Sequence, residues 1–186
     1  FSYGDDLGAG IIFSRQLRGQ LNEAMREFLQ ADKLVLGICN GFQILCEAGL
    51  LPGVLLENNN QQFICKNVFL RADNNASRIN ATVPIGHALK IPIAHGEGRY
   101  YADDATLKQL IANNQVIFSY CDDHGNVTDA ANPNGSMHNI AGVCNAGRNV
   151  FGMMPHPERA SEEILGNTDG RMIFESFLAL TATSAR

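Results

Sequence analysis

Charge is scarce in this chain and nowhere concentrated. Of 186 residues 18% are charged, and 14 Lys and Arg against 19 Asp and Glu leave a formal net charge of −5. No basic run exists to neutralise phosphates, which argues against a generic nucleic-acid or membrane-surface role. No apolar stretch approaches the roughly 20 residues needed to span a bilayer. There is no C-x-x-C pair and no Cys/His cluster of the kind that holds zinc. The five cysteines (Cys39, Cys46, Cys65, Cys121 and Cys144) are odd in number and irregularly spaced. A disulfide framework is therefore not expected, and reduced thiols in a cytoplasmic compartment are. Also missing are an internal repeat, a low-complexity linker and a Gly-rich loop running into a helix, the usual phosphate cradle. The chain begins Phe1-Ser2-Tyr3-Gly4 without a Met or a signal peptide, so the natural start is expected to lie upstream. Four N-x-S/T sequons, at Asn75, Asn80, Asn126 and Asn134, are what chance supplies in an Asn-rich sequence.

With 45% hydrophobic residues over this length, one well-buried domain spanning 1–186 is expected. Its strongest local signal is Gly37-Ile38-Cys39-Asn40-Gly41, directly after the apolar run Leu34-Val35-Leu36. A glycine two before and two after one reactive residue is the spacing of a nucleophile elbow, where a buried strand turns sharply into a helix. The elbow holds the nucleophile in a strained backbone geometry. Both glycines are read as sites where strand end and helix start leave no room for a Cβ. Asn40 to Gly49 reads as the following helix, with Gly49 as its stop. The N-terminus of that helix would aim N–H groups at Cys39 and favour its thiolate.

The rest of the chain alternates. Leu17, Leu21, Ala24, Met25, Phe28 and Leu29 predict one amphipathic helix over Ser14–Ala31, with Ser14 as its cap. The continuous apolar run Leu34–Ile38 suits a strand covered on both faces, as in a parallel sheet. Further strands are expected at Phe63–Arg71, Ile91–Ala94 and Gln115–Tyr120. Ile140–Cys144 and Asn149–Met153 read as a hairpin around Asn145-Ala146-Gly147. Helices are expected at Asp103–Asn113 and Asp169–Leu180, and the Asn-, Gly- and Pro-rich stretch 121–139 is read as loop. The fold class is thus α/β, a mostly parallel central sheet flanked by helices with an antiparallel patch near the C-terminus.

An elbow cysteine needs a base and a group that orients the base. Pro155-His156-Pro157-Glu158, at the mouth of a late strand, supplies both, and its prolines stiffen the backbone around His156. In an extended His-x-Glu both side chains project from the same side, so Glu158 can hold one ring nitrogen while the other faces Cys39. Each piece has a plain structural alternative. A lone cysteine is usually a small buried hydrophobe, the reading given to Cys46, Cys65 and Cys144. His87, His124 and His138 sit in no motif. The argument rests on the conjunction of elbow and His/Glu pair.

Gly37-Ile-Cys39-Asn-Gly41-Phe-Gln43 with the later His156-Pro-Glu158 resembles the class I, triad-type glutamine amidotransferases. Five motifs narrow the resemblance to the glutaminase component, subunit or domain, of phosphoribosylformylglycinamidine synthases. They are Phe1-Ser-Tyr-Gly-Asp5, Cys39-Asn-Gly-Phe-Gln43, Ala94-His-Gly-Glu-Gly98, Ala131-Asn-Pro-Asn-Gly-Ser136 and Met153-Met-Pro-His-Pro-Glu-Arg159. The resemblance implies hydrolysis of the glutamine side-chain amide through Cys39, His156 and Glu158. The ammonia would pass to a synthase partner that aminates formylglycinamide ribonucleotide, with ATP and Mg bound on that partner and no cofactor in this chain. Asn40 would lend its N–H to the oxyanion, where one donor contributes ~2.7–4 kcal/mol. Gln43, one helical turn on, is a candidate for contacting glutamine, with a solvated helix-surface role as the alternative. His95 and Glu97 are candidates for lining the pocket or the synthase interface.

The family also carries a Gly-Gly and a β-α-β portion before the segment matching Phe1-Ser2-Tyr3. Their absence leads to the expectation of a chain lacking its first strands and one oxyanion donor, and so a poor glutaminase by itself. Full glutamine turnover by a protein confirmed to start at Phe1 would overturn that expectation. Two alternatives stay open on the sequence: an inactive regulatory or scaffolding form, and a cysteine hydrolase acting on another amide.

Overall fold

The computed structural model describes residues 8 and 10–183, with side chains described to residue 179. The Phe1–Asp5 motif and the end of the Leu180–Arg186 tail lie outside the described residues. Two short helices come first, α1 (Ile11–Gly19) and α2 (Asn22–Gln30), where the periodicity predicted one. The break falls after Gly19, a poor helix former, where the N–H groups of Gln20 and Leu21 both close on Gln16 O. Ser14 is correspondingly not a cap: it sits inside α1 with its hydroxyl donating to Ile11 O.

Strand β1 (Val35–Ile38) then runs into α3 (Asn40–Glu47), which ends at Gly49 as read. There follow β2 (Val54–Leu56), β3 (Ile64–Ala72), β4 (Ala88–His95), β5 (Arg99–Tyr101) and α4 (Asp104–Ala112). Asp103 caps α4 by accepting from Thr106 N at 2.7 Å. The chain closes with β6 (Val116–Cys121), β7 (Ile140–Cys144), β8 (Val150–Met153) and α5 (Arg171–Thr183).

Six strands form one sheet in the order β1-β8-β7-β6-β3-β4, and β2 pairs with β5 in a separate ribbon. The expected mostly parallel sheet is not what is seen. Among the described residues only β1 and β8 pair in parallel, whereas β8–β7, β7–β6, β6–β3 and β3–β4 are all antiparallel. A parallel neighbour requires a crossover of a dozen or more residues, usually helical. Here α4 separates strands of the ribbon and the sheet, and β7–β8 is a tight hairpin, so consecutive sheet strands fold back instead.

The sheet has helices on both faces. Val68, Leu70, Leu89, Ile91, Ile93, Phe151 and Met153 pack on the side of Ile173 from α5. Phe42 and Leu45 of α3, Leu107 and Leu110 of α4, Val143 and Val150 form the other layer. Val150 and Phe151 fall in opposite layers, as the two-residue repeat of a strand requires. Among the described residues no helix is long and apolar enough to cross a membrane.

Candidate active site

Cys39 stands between β1 and α3 with φ 52° and ψ −106°, a conformation an L-residue occupies only under constraint. The constraint is visible. Cys39 N–H donates to Met153 O of β8, and Cys39 O accepts from Phe42 and Gln43 at the head of α3. A Cβ on Gly37 would come within 2.6 Å of the Gly41 carbonyl, so strand and helix can meet only at a glycine. The same reason does not extend to Gly41, whose own Cβ position opens on free space.

His156 comes from the end of the neighbouring strand. Its Nδ1 and Glu158 Oε1 are 2.6 Å apart, and its Nε2 is buried without a hydrogen-bond partner. The pair is not built on extended chain, as the sequence suggested, since Glu158 lies in a 3-10 turn, Pro157–Ala160, with His156 as its cap. Burial pushes the Glu158 carboxyl up. The hydrogen bond to His156, the charge of His156 and Arg159 outweigh that, and the carboxyl ends below its ordinary value. Glu158 is thus held as the carboxylate, able to support a charged His156.

Ile38, Cys39, Asn40, His156, Glu158 and Arg159 line one cleft of about 300 Å³. Sequence positions 39 and 156–158 are therefore brought together at one opening. Gln43 is not a surface residue: it is 2% exposed, donates from Nε2 to Glu97 O at 2.6 Å and accepts from Asn40 Nδ2 at 3.0 Å. A separate cleft of about 330 Å³ beside β3 and β6 is lined by Arg71, Asp73, Ser119 and His138. Its charges are satisfied internally, because Arg71 and Ser119 both donate to Asp73.

The support that sequence reasoning missed is β4. This strand ends the sheet opposite β1, yet its outer edge reaches back to the site. Ala94 O accepts from the Cys39 thiol at 3.6 Å, and Pro92 O accepts from His156 N–H at 2.8 Å. Residues two apart in a strand point their backbone groups the same way, so both carbonyls face away from β3. One signal was present in Ile91-Pro92-Ile93: a proline inside a strand pattern marks an edge whose N–H side has no ladder partner.

His95, the last residue of β4, is 1% exposed and lies against the glycine-rich loop 96–98. Burial, and next the charge of His156, lower its ionisation to about 4. Of the other cysteines, Cys46 and Cys144 are buried as read, and burial pushes both thiols up. Cys65 departs from that reading, being exposed on β3.

Comparison with known proteins bears on this geometry. The model of the CobB/CobQ-like glutamine amidotransferase domain family matches residues 1–173. Phosphoribosylformylglycinamidine synthase subunit PurQ of Aquifex aeolicus is 52% identical over 179 residues, covering 96% of this chain and 78% of that protein. PurQ of Moorella thermoacetica is 54% identical over 178 residues, 96% of this chain and 74% of that protein. The solved structure of PurLQS from Thermotoga maritima superposes with a TM-score of 0.81 at 41% identity, over 97% of this chain and 76% of that one.

Proposed function

This chain belongs to the CobB/CobQ-like glutamine amidotransferase domain family, and on that premise we propose how its residues carry out the reaction. It is the glutaminase subunit of phosphoribosylformylglycinamidine synthase in purine biosynthesis, working with PurL and PurS partners. The cleft that gathers Cys39, His156 and Glu158 is the observation that carries the assignment of roles.

Cys39 Sγ attacks the side-chain carbonyl carbon of glutamine while its proton passes to His156 Nε2. The carbonyl oxygen becomes an oxyanion, which accepts from the Asn40 N–H at the start of α3. His156 then returns the proton to the amide nitrogen, the C–N bond breaks, and ammonia leaves a thioester on Cys39. Water, deprotonated by His156, attacks the thioester and releases glutamate and the thiol. Glu158 fixes the imidazole through Nδ1 and stabilises its charged form at each transfer. Asn40, which donates to Gln43, and Gln43, which in turn donates to Glu97 O, shape the wall against which glutamine is held. ATP and Mg act on the synthase partner, and the ammonia is delivered there. The setting is the cytoplasm.

A diazoketone analogue of glutamine tests these roles. Intact mass and peptide mapping should find one adduct, on Cys39, that glutamine prevents and that His156→Ala suppresses. An adduct elsewhere, or labelling indifferent to glutamine, would overturn the assignment.

A further inference from the structure

The site holds a second buried imidazole that the reaction above does not use. His95 follows Ala94, the residue whose carbonyl accepts from the Cys39 thiol. Its ring packs directly over Gly98, where a Cβ would fall 2.2 to 2.5 Å from three ring atoms. Its protonation can be read from its partner, Asn58.

Asn58 is 1% exposed and uses its whole side-chain capacity. Its Nδ2 donates to Gln62 O at 2.8 Å and to His95 O at 2.9 Å. Both partners are carbonyls, so the nitrogen of the amide is identified by what it meets. Oδ1 is then the acceptor, and it takes Gly98 N–H at 3.1 Å and His95 Nδ1 at 3.0 Å. An acceptor facing Nδ1 requires the proton to be on Nδ1. His95 Nε2 is left with its lone pair, buried and without a partner. Asn58 N–H also donates to Gly96 O at 2.9 Å, so one residue clasps the loop along its length.

Two neighbouring imidazoles thus meet oxygens of similar placement and different charge. His156 faces the Glu158 carboxylate. His95 faces a neutral amide, and its second nitrogen would be a buried unpaired donor if protonated. Titratable and charged groups on the elements around His95 are Lys90 of β4, Cys65, Lys66 and Arg71 of β3, Arg99, Tyr100 and Tyr101 of β5, Glu57 and Glu97 beside the loop, and Cys39, His156 and Glu158 of the cleft. Of these His156 acts on it electrostatically, against its protonation.

We propose that Asn58 is a positioning residue that holds His95 in the Nδ1–H neutral form, so that His156 alone of the pair takes up a proton during glutamine hydrolysis. The inference rests on the glutaminase reading above. A cationic His95 would oppose the Cys39-to-His156 proton transfer; Asn58 fixes the one ring proton on Nδ1, and the buried, partnerless Nε2 leaves a second proton no acceptor.

The test is the pH profile of glutaminase kcat/KM from about pH 5.5 to 9 on the chain assembled with its synthase partners. Asn58→Asp keeps the two hydrogen bonds accepted from His95 and Gly98, gives up the two donated to Gln62 O and His95 O, and adds the charge that draws a proton onto His95. Its kcat/KM should fall about tenfold further than wild type between pH 8 and 6. The double variant Asn58→Asp/His95→Gln, with nothing to titrate there, should regain the wild-type shape. A profile for Asn58→Asp parallel to wild type, or an acid loss that persists in the double variant, overturns the proposal. Nitrogen NMR of the unsubstituted, 15N-histidine-labelled complex reads the tautomer directly and does not depend on any variant folding. A proton on His95 Nε2 at neutral pH overturns the proposal as well. A wild-type complex that releases no ammonia from glutamine would instead remove the glutaminase reading, and this inference with it, whatever the tautomer.

Discussion

The two edges of the main sheet make different use of the same backbone chemistry. β1, at one edge, is a run of apolar side chains left half-buried, and its contribution to the site is the strained residue at its end. β4, at the other edge, has its outward groups occupied one after another. Lys90 N–H donates to Asp169 at 2.8 Å, Lys90 O accepts from Asn167, Pro92 O from His156 N–H and Ala94 O from Cys39. An open strand edge is a template for unwanted pairing. In β4 that liability is met with the Asp169 and Asn167 side chains at one end and with Cys39 and His156 at the other. One edge therefore ends at Cys39 and the opposite edge frames it, because the sheet curls until its ends meet.

The comparison can be broken most severely at the β1 end. Cys39→Ala should abolish glutamine-dependent synthesis, a fall of at least ~10³-fold in kcat, while ammonia supplied directly still supports the partner's reaction. Equal loss with glutamine and with ammonia would instead mean that the subunit had stopped assembling.

Folding stability should depend on pH through His95 at the β4 end. Its ionisation in the fold, about 4, is below its ordinary value of 6.5. The unfolded chain therefore binds the proton first as pH falls. The stability held by the neutral ring is complete above 6.5 and is lost progressively down to about 4. The loss should reach a few kcal/mol, and His95→Gln should flatten that part of the curve. Denaturant unfolding of both proteins across the window checks it, and identical slopes would count against the buried neutral ring.

Gly37→Ala should destabilise by about 1–3 kcal/mol, since its Cβ meets backbone that cannot swing aside. Thermal unfolding measures the drop, and activity should fall with it through displacement of Cys39. The smallest effect belongs to Asp169→Ala, which removes an exposed acceptor from Lys90 at a cost of about 0.5–1.5 kcal/mol. Glutaminase activity should remain within about twofold of wild type, because the Pro92 and Ala94 contacts are untouched. A large activity loss there would show that the two halves of the β4 edge are coupled.

How much was legible follows the range of the interactions. Gly37-x-Cys39-x-Gly41 was readable as a turn set within five residues of chain, whereas His156-x-Glu158 was readable as a pair but not in its backbone, a 3-10 turn and not extended chain. The stop at Gly49 and the 140–153 hairpin were readable for the same reason. Gly19 was readable too, and the strength of the helical period across it hid the break. Gln43 could not be placed from helical spacing alone, because its burial depends on the Glu97 carbonyl, 54 positions away.

By itself, then, the sequence determined which residues carry reactive groups and which local turns present them, since those follow from backbone sterics and from side chains two to four positions apart. Only the tertiary structure decided the direction of the strands, the return of the β4 edge to Cys39 and His156, and the proton on His95. Those rest on carbonyls and amides that every residue possesses, and on partners such as Asn58 and His95, 37 positions apart, that only the folded chain brings together.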